Sequence, residues 1–312
     1  MEAAIMGATE VLTVNHLQKK FGKFTALKEI NLTLHAGEVL GFIGPNGAGK
    51  STTIRTILGM LRPTAGTVQV FGQDAWRDAV FIHQRLAYVP GDVYLWPNFT
   101  GGQTIDLLLK MSGQQHNAKT DDLIKKFALD PSKKNQTYSK GNRQKVALIV
   151  ALSSDVALYI FDEPTSGLDP LNEIVFQQEI SRLKAAGKAI LLSSHILSEV
   201  EKTCDTIAII RQGQIIEAGE LAALQHLTRI NVTVTSDQDL TALGQLPGVH
   251  QFQQQSGTTN FAVDTDQLQT VLQALAAKKL TAIQIAPPTL EDLFLRYYDQ
   301  GNVKQAEVST HA

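Results

Sequence analysis

The nonapeptide Gly44-Pro45-Asn46-Gly47-Ala48-Gly49-Lys50-Ser51-Thr52 constrains the fold of this chain more than any other stretch. It fits G-x-x-x-x-G-K-[ST], after the apolar run Val39–Ile43 and before the helical pattern Thr53–Leu58. Its glycines permit positive φ and leave the backbone bare, so successive N–H groups can turn inward around a polyphosphate. The helix that follows aims its positive end at the same point. Lys50 can then reach the β- and γ-phosphates, and the Ser51 hydroxyl can ligate Mg²⁺. Strand, glycine turn and helix in this order predict an α/β domain built around a nucleotide.

Composition limits the remainder. The chain has 312 residues, 43% of them hydrophobic, enough for one large domain and a smaller one. A formal net charge of -2 gives no general electrostatic grip on nucleic acid, and no direct nucleic-acid partner is expected. The one cysteine, Cys204, has no internal partner and reads as a small buried residue. Met1–Glu10 lacks the pattern of a secretory signal. The longest apolar tract, Val146–Leu152, falls far short of the roughly 20 residues that a membrane-spanning helix needs. Any membrane role would be borrowed from a partner.

Hydrophobic periodicity divides the chain further. Val11–Val14 and Ile30–Leu34 alternate as half-buried antiparallel strands do, with Phe21 and Phe24 on the turn between them. Either ring could be core, and Phe21 could instead stack on a base. The loop opened by Pro90-Gly91-Asp92 carries Tyr94, Trp96 and Phe99, which could be tucked rings or a docking surface. Residues 104–127 read as helical with a break at Gly113–Ala118, and a further helix covers Asn142–Ser153. The continuously apolar strands Val156–Phe161, Ala189–Leu192 and Thr206–Ile210 alternate with helices, the pattern of a parallel sheet covered on both faces. From about Thr228 short strands and helices follow in the order β-α-β-β-α-β, which suggests a small ferredoxin-like unit. A last amphipathic helix is expected over Leu290–Tyr298, and the tail from 300 to 312 is expected to be disordered.

The chemistry concentrates at two strand ends. Val156–Phe161 delivers Asp162-Glu163-Pro-Thr-Ser-Gly-Leu-Asp169. An aspartate there can hold Mg²⁺, and the next carboxylate can accept a proton from an attacking water. Taken alone, Asp-Glu is also an ordinary pair of solvated acids. The phosphate loop upstream decides between the readings.

With these motifs in place, residues 10 to 220 resemble the nucleotide-binding subunit of an ATP-binding cassette (ABC) transporter. The resemblance implies ATP and Mg²⁺ as ligands. It makes Phe21 the adenine-stacking aromatic, Gly44–Thr52 the Walker A loop, Asp162 the Walker B aspartate and Glu163 the catalytic glutamate. Ser166–Asp169 would be the D-loop and His195 the switch histidine that senses the γ-phosphate. The signature segment would be Tyr138-Ser139-Lys140-Gly141-Asn142-Arg143-Gln144-Lys145, which departs from Leu-Ser-Gly-Gly-Gln yet keeps Ser139 and Gly141. By resemblance, Ser139, Gly141 and Asn142 cap the γ-phosphate bound by an opposite subunit. Lys140 would either strengthen that closure or face solvent. A second departure puts Gly91 and Asp92 where the family has a glutamine. Either Asp92 replaces it at the metal, or the metal relies on Ser51 and Asp162.

The resemblance implies an ABC ATPase domain over 1–227, with a parallel-sheet core, an antiparallel β subdomain and a helical subdomain at about 91–155. A small α+β domain would follow over 228–299. The variant motifs are similar to those of bacterial exporter subunits for drug, antibiotic or lipid-linked substrates. Such a subunit binds an integral membrane permease on a separate chain, from the cytoplasmic face, as a homodimer or a heterodimer. An importer subunit, or a cassette ATPase acting on nucleic acid or ribosomes, is the alternative. The latter would be expected to carry tandem cassettes or a long coiled-coil insertion. No Asn-Lys-x-Asp guanine-reading motif is present to suggest a GTPase.

Overall fold

A computed structural model describes residues 9–226, 229–286 and Leu290. The chain divides at Gly219 into two compact units. This lies ahead of the change of texture expected at 227, because the short helix Leu221–His226, which carries no motif that marks it in sequence, falls in the second unit.

The first unit runs β1 (Glu10–Phe21), β2 (Phe24–His35), β3 (Val39–Ile43), α1 (Lys50–Ile57), β4 (Ala65–Val70), β5 (Gln73–Asp74), α2 (Ala79–His83) and β6 (Leu86–Val89). It continues with α3 (Gly101–Met111), α4 (Ala118–Lys126), α5 (Lys140–Ser153), β7 (Leu158–Asp162), α6 (Pro170–Ala185), β8 (Ala189–Ser194), α7 (Leu197–Thr203), β9 (Thr206–Arg211) and β10 (Gln214–Glu220). These strands form one ten-stranded sheet in the order β5-β4-β1-β2-β10-β9-β3-β8-β7-β6. The β1–β2 and β1–β4 pairs are antiparallel, whereas β9, β3, β8, β7 and β6 pair in parallel.

Every residue of β3, β7 and β8 is buried, as a parallel sheet covered on both faces requires. The register then sets the chemistry: Ile43 pairs with Ser194, and Asp162 with Ser193. Three adjacent strands therefore release the Gly44 loop, Glu163 and His195 at one carboxyl edge, where ligands of such sheets bind.

The first hairpin is far longer than the four- and five-residue strands that alternation alone predicts. Register shifts between Val14 and Lys20 interrupt the pairing, and His16 takes φ 48°. Bulges of this kind invert the alternation and hide the continuation from a periodicity reading. The turn shrinks accordingly to Gly22 and Lys23, with Phe21 and Phe24 paired across its base.

The helical part between β6 and β7 begins each helix with a polar cap. Thr100 and Asn117 form reciprocal capping boxes on α3 and α4, and the Ser139 hydroxyl accepts the Asn142 N–H at the start of α5. No helix of the described residues is long and apolar enough to cross a membrane.

The second unit contains α8 (Leu221–His226), β11 (Ile230–Thr235), β12 (Val249–Gln255), β13 (Thr258–Val263), α9 (Leu268–Ala276) and β14 (Ala282–Ala286). Its sheet runs β12-β13-β11-β14 with antiparallel neighbours throughout, the strand order of a split β-α-β fold. The helix expected near Leu240 is only a 3₁₀ turn, Thr241–Gln245. Pro247 and Gly248, at φ 77°, prevent a longer one. Val232, Val234, Phe261, Val271 and Leu275 form its core. The helix expected over Leu290–Tyr298 and the tail from 300 lie outside the described residues, apart from a buried Leu290.

Candidate active site

The loop between β3 and α1 folds as its glycines demand. Gly47 and Gly49 take φ of 79° and 119°. A Cβ on Gly44 would stand 2.3 Å from the Ile210 carbonyl oxygen, which no larger residue tolerates. The loop walls a cleft of about 360 Å³, lined by Pro45, Asn46, Lys50, Ser51, Thr52 and Glu163 among others. Ala48 is buried beneath the turn.

Lys50 is only 5% exposed, a burial that a cation tolerates only with partners. Its Nζ donates to Gly44 O at 2.5 Å and stands 3.4 Å from Glu163 Oε1. The other carboxylate oxygen of Glu163, Oε2, lies 3.3 Å from His195 Nδ1. One carboxylate, which lines the cleft, thus sits between an ammonium and an imidazole.

The backbone pins that carboxylate. Glu163 adopts φ 50°, a left-handed conformation that costs a non-glycine residue about 1–3 kcal/mol and persists only when its surroundings enforce it. Enforcement comes from Ser193, whose carbonyl oxygen and hydroxyl oxygen each accept the Glu163 N–H at 3.1 Å. The same hydroxyl donates to Asp162 Oδ1 at 2.5 Å, which orients a carboxylate that is otherwise buried.

Among the described residues no group of three or more His, Cys, Asp or Glu could hold a metal ion. Mg²⁺ takes one or two carboxylates, a hydroxyl and substrate phosphate oxygens, and Asp162 and Ser51 are the groups that could serve it here. Asp92 is exposed and does not line the cleft. Gly91 faces the site instead, since a Cβ there would lie 3.3 Å from Asp162 O and 3.7 Å from Glu163 Cβ.

Ser139, Gly141 and Asn142 do not line the cleft of their own chain. Gly141 packs on the segment after Glu163, so tightly that a Cβ there would meet Gly167 O at 2.3 Å. Lys140 is exposed, and its Nζ donates to Ser166 Oγ at 2.8 Å.

Phe21 is half-exposed with Lys19 Nζ 5.0 Å from its ring centroid, whereas Phe24 lines the cleft. Sequence reasoning therefore missed Phe24, and it missed Ser193. A paired serine directly before a strand-end histidine was the available signal for the latter. Cys204 packs beneath Gly41, and burial pushes its thiol up to about 12, so it is inert.

A second cavity of about 320 Å³ lies between β6 and the helical part, lined by Tyr88, Val93, Tyr94, Leu108, Ala147 and Val150 among others. Tyr94 is 91% exposed, and Trp96 and Phe99 stand half-exposed beside one another with ring centroids 6.0 Å apart.

Residues 27–166 match the family model described as ABC transporter. Residues 219–298 match the model described as ATP-binding protein DrrA1-3-like, C-terminal domain. The daunorubicin resistance ATP-binding protein DrrA3 of Streptomyces coeruleorubidus is 31% identical over 324 residues, covering 96% of this chain and 99% of that protein. The Nod factor export ATP-binding protein I of Ralstonia nicotianae is 31% identical over 304 residues, covering 93% and 94%. A solved structure of an ATP-binding subunit of an ABC transporter aligns with a TM-score of 0.65 at 31% identity, over 70% of this chain and 92% of that one.

Proposed function

Since the chain belongs to the family of ABC transporter ATP-binding proteins, which are ATPases, we propose that it powers export of a drug-like, antibiotic or lipid-linked substrate. The substrate would pass through a permease on a separate chain. The observation that carries this reading is the placement of Glu163 between Lys50 and His195 at the mouth of the phosphate cradle. Export, rather than import, is supported by relatives named for drug resistance and Nod factor export that align along both units.

The residues divide the work. Backbone N–H groups from Asn46 to Lys50 and the Lys50 ammonium neutralise the phosphate oxygens of ATP. Ser51 and Asp162 would hold Mg²⁺, which supplies charge neutralisation on the phosphates. Glu163 accepts a proton from the attacking water at a carboxylate oxygen, and His195 donates to the terminal phosphate. Phe21 and Phe24, paired at the hairpin base, offer rings to the adenine.

The signature residues of one subunit serve the phosphates held by another, so two copies close face to face and reopen when the bridging phosphate is released. A homodimer needs no second sequence. The groove beside Tyr94 receives a helix of the permease at the cytoplasmic face of the membrane, with the exposed Tyr94 ring and the neighbouring half-exposed Trp96 and Phe99 covering apolar surface.

Glu163→Gln tests the assignment. ATP turnover should fall by at least about a hundredfold while ATP still binds and holds the dimer closed. Turnover near that of the native protein would remove Glu163 as the base.

A further inference from the structure

The loop bearing Glu163 and the loop bearing His195 leave different strands, yet one side chain of α7 ties them together. Glu199 is 7% exposed, an uncommon place for a carboxylate. Its Oε2 accepts from Thr165 Oγ1 at 2.9 Å and from Ser194 Oγ at 3.1 Å. Thr165 lies two positions beyond Glu163, and Ser194 directly precedes His195. The Ser194 hydroxyl in turn accepts the Ile196 N–H at 2.9 Å, closing the turn on which His195 rides. One oxygen therefore clamps both flanks of the Glu163–His195 contact. The other oxygen, Oε1, has no hydrogen-bond partner among the described residues. Burial pushes the Glu199 carboxyl up, against the opposing pull of the Thr165 and Ser194 hydroxyl bonds.

We infer that Glu199 is a positioning residue for ATP hydrolysis, holding the histidine loop at a fixed distance from the loop of the general base. The inference rests on the reading of Glu163 and His195 as the reacting pair. A buried carboxylate is a costly way to fill space, and a leucine would fill it more cheaply. What the carboxylate adds is an acceptor for two hydroxyl donors from two loops at once. Without it the loops lose their shared anchor, and a displacement of about 1 Å at a reacting group can lower a rate by about a hundredfold.

Steady-state ATPase and equilibrium ATP binding of the full chain test this, with Glu163→Gln measured alongside. Glu199→Ala should lower kcat by about ten- to a hundredfold and leave the affinity for ATP within about twofold, because the phosphate loop is untouched. Glu199→Gln should recover most of the rate, since its amide oxygen can accept both hydroxyls. Thr165→Val removes one tether without a buried charge, so it should lower kcat by a smaller factor and add nothing further to Glu199→Ala. Native kcat in Glu199→Ala, with Glu163→Gln inactive, would overturn the positioning role alone. Equal losses of kcat in Glu199→Gln and Glu199→Ala, each matched by lost ATP binding, would also overturn it. Native turnover in Glu163→Gln would instead overturn the reading on which it rests.

Discussion

Lys50, Glu163 and His195 are each a charged or polar group whose position is set by something other than its own side chain. Lys50 is fixed by the carbonyls of its loop, Glu163 by the Ser193 acceptors, and His195 by a turn tied through Ser194. Lys140 adds a link of another kind, from the start of α5 to Ser166, whose N–H donates to Glu163 O at 3.2 Å. Lys140→Ala removes one exposed charge-assisted hydrogen bond, which should slow ATP hydrolysis by about three- to tenfold. Ser166→Ala should do the same, and the pair together no more, as steady-state rates of the three variants will show; additive losses would detach Lys140 from Ser166. At this scale the residues proposed to do the chemistry were legible, because phosphate binding demands particular side chains at fixed spacing. Thr165 and Glu199 were not, since a threonine and a glutamate acquire meaning only when the fold brings a loop and a helix together, and Ser193 left only the paired serine before His195 as a signal.

Among the elements, the helical part shows how polar side chains bind short helices. His116, between α3 and α4, reaches Asp106 through Nδ1 at 2.6 Å and Asp121 through Nε2 at 3.1 Å. The Asp106 hydrogen bond first, and then the Asp121 bond, raise the imidazole above its ordinary value, with mild burial opposing them. A group whose folded value is raised stabilises the protein fully below its unfolded value and loses that contribution as pH rises through the folded one. Warming melts at about pH 6 and about pH 8 should therefore show a small loss of stability at the higher pH, which His116→Asn abolishes; the site is partly exposed, so the effect is at most about 1 kcal/mol. An unchanged pH dependence in the variant would remove the staple. The sheet strands were legible as buried apolar runs, and α3 to α5 by their periodicity. The long hairpin was hidden by bulges, and the 3₁₀ turn of the second unit by a leucine spacing that looks helical until Pro247 stops it.

For the whole molecule, the phosphate cradle and the signature residues belong to one unit but not to one cleft. Ser139, Gly141 and Asn142 are structurally prepared, with a capped helix start and a glycine no other residue could replace, yet do not line the cleft at the glycine loop of their own chain. That separation gives physical content to the proposed sharing of each site between two copies, which the signature segment implied by resemblance alone. The deciding measurement is the ATPase rate of a mixture of Lys50→Ala and Ser139→Ala proteins, combined before ATP is added. Each variant alone should be nearly inactive. If sites are shared, every mixed dimer pairs the intact cradle of one copy with the intact Ser139 of the other, and the mixture should regain about a quarter of the native rate. A mixture no more active than its components would contradict the account.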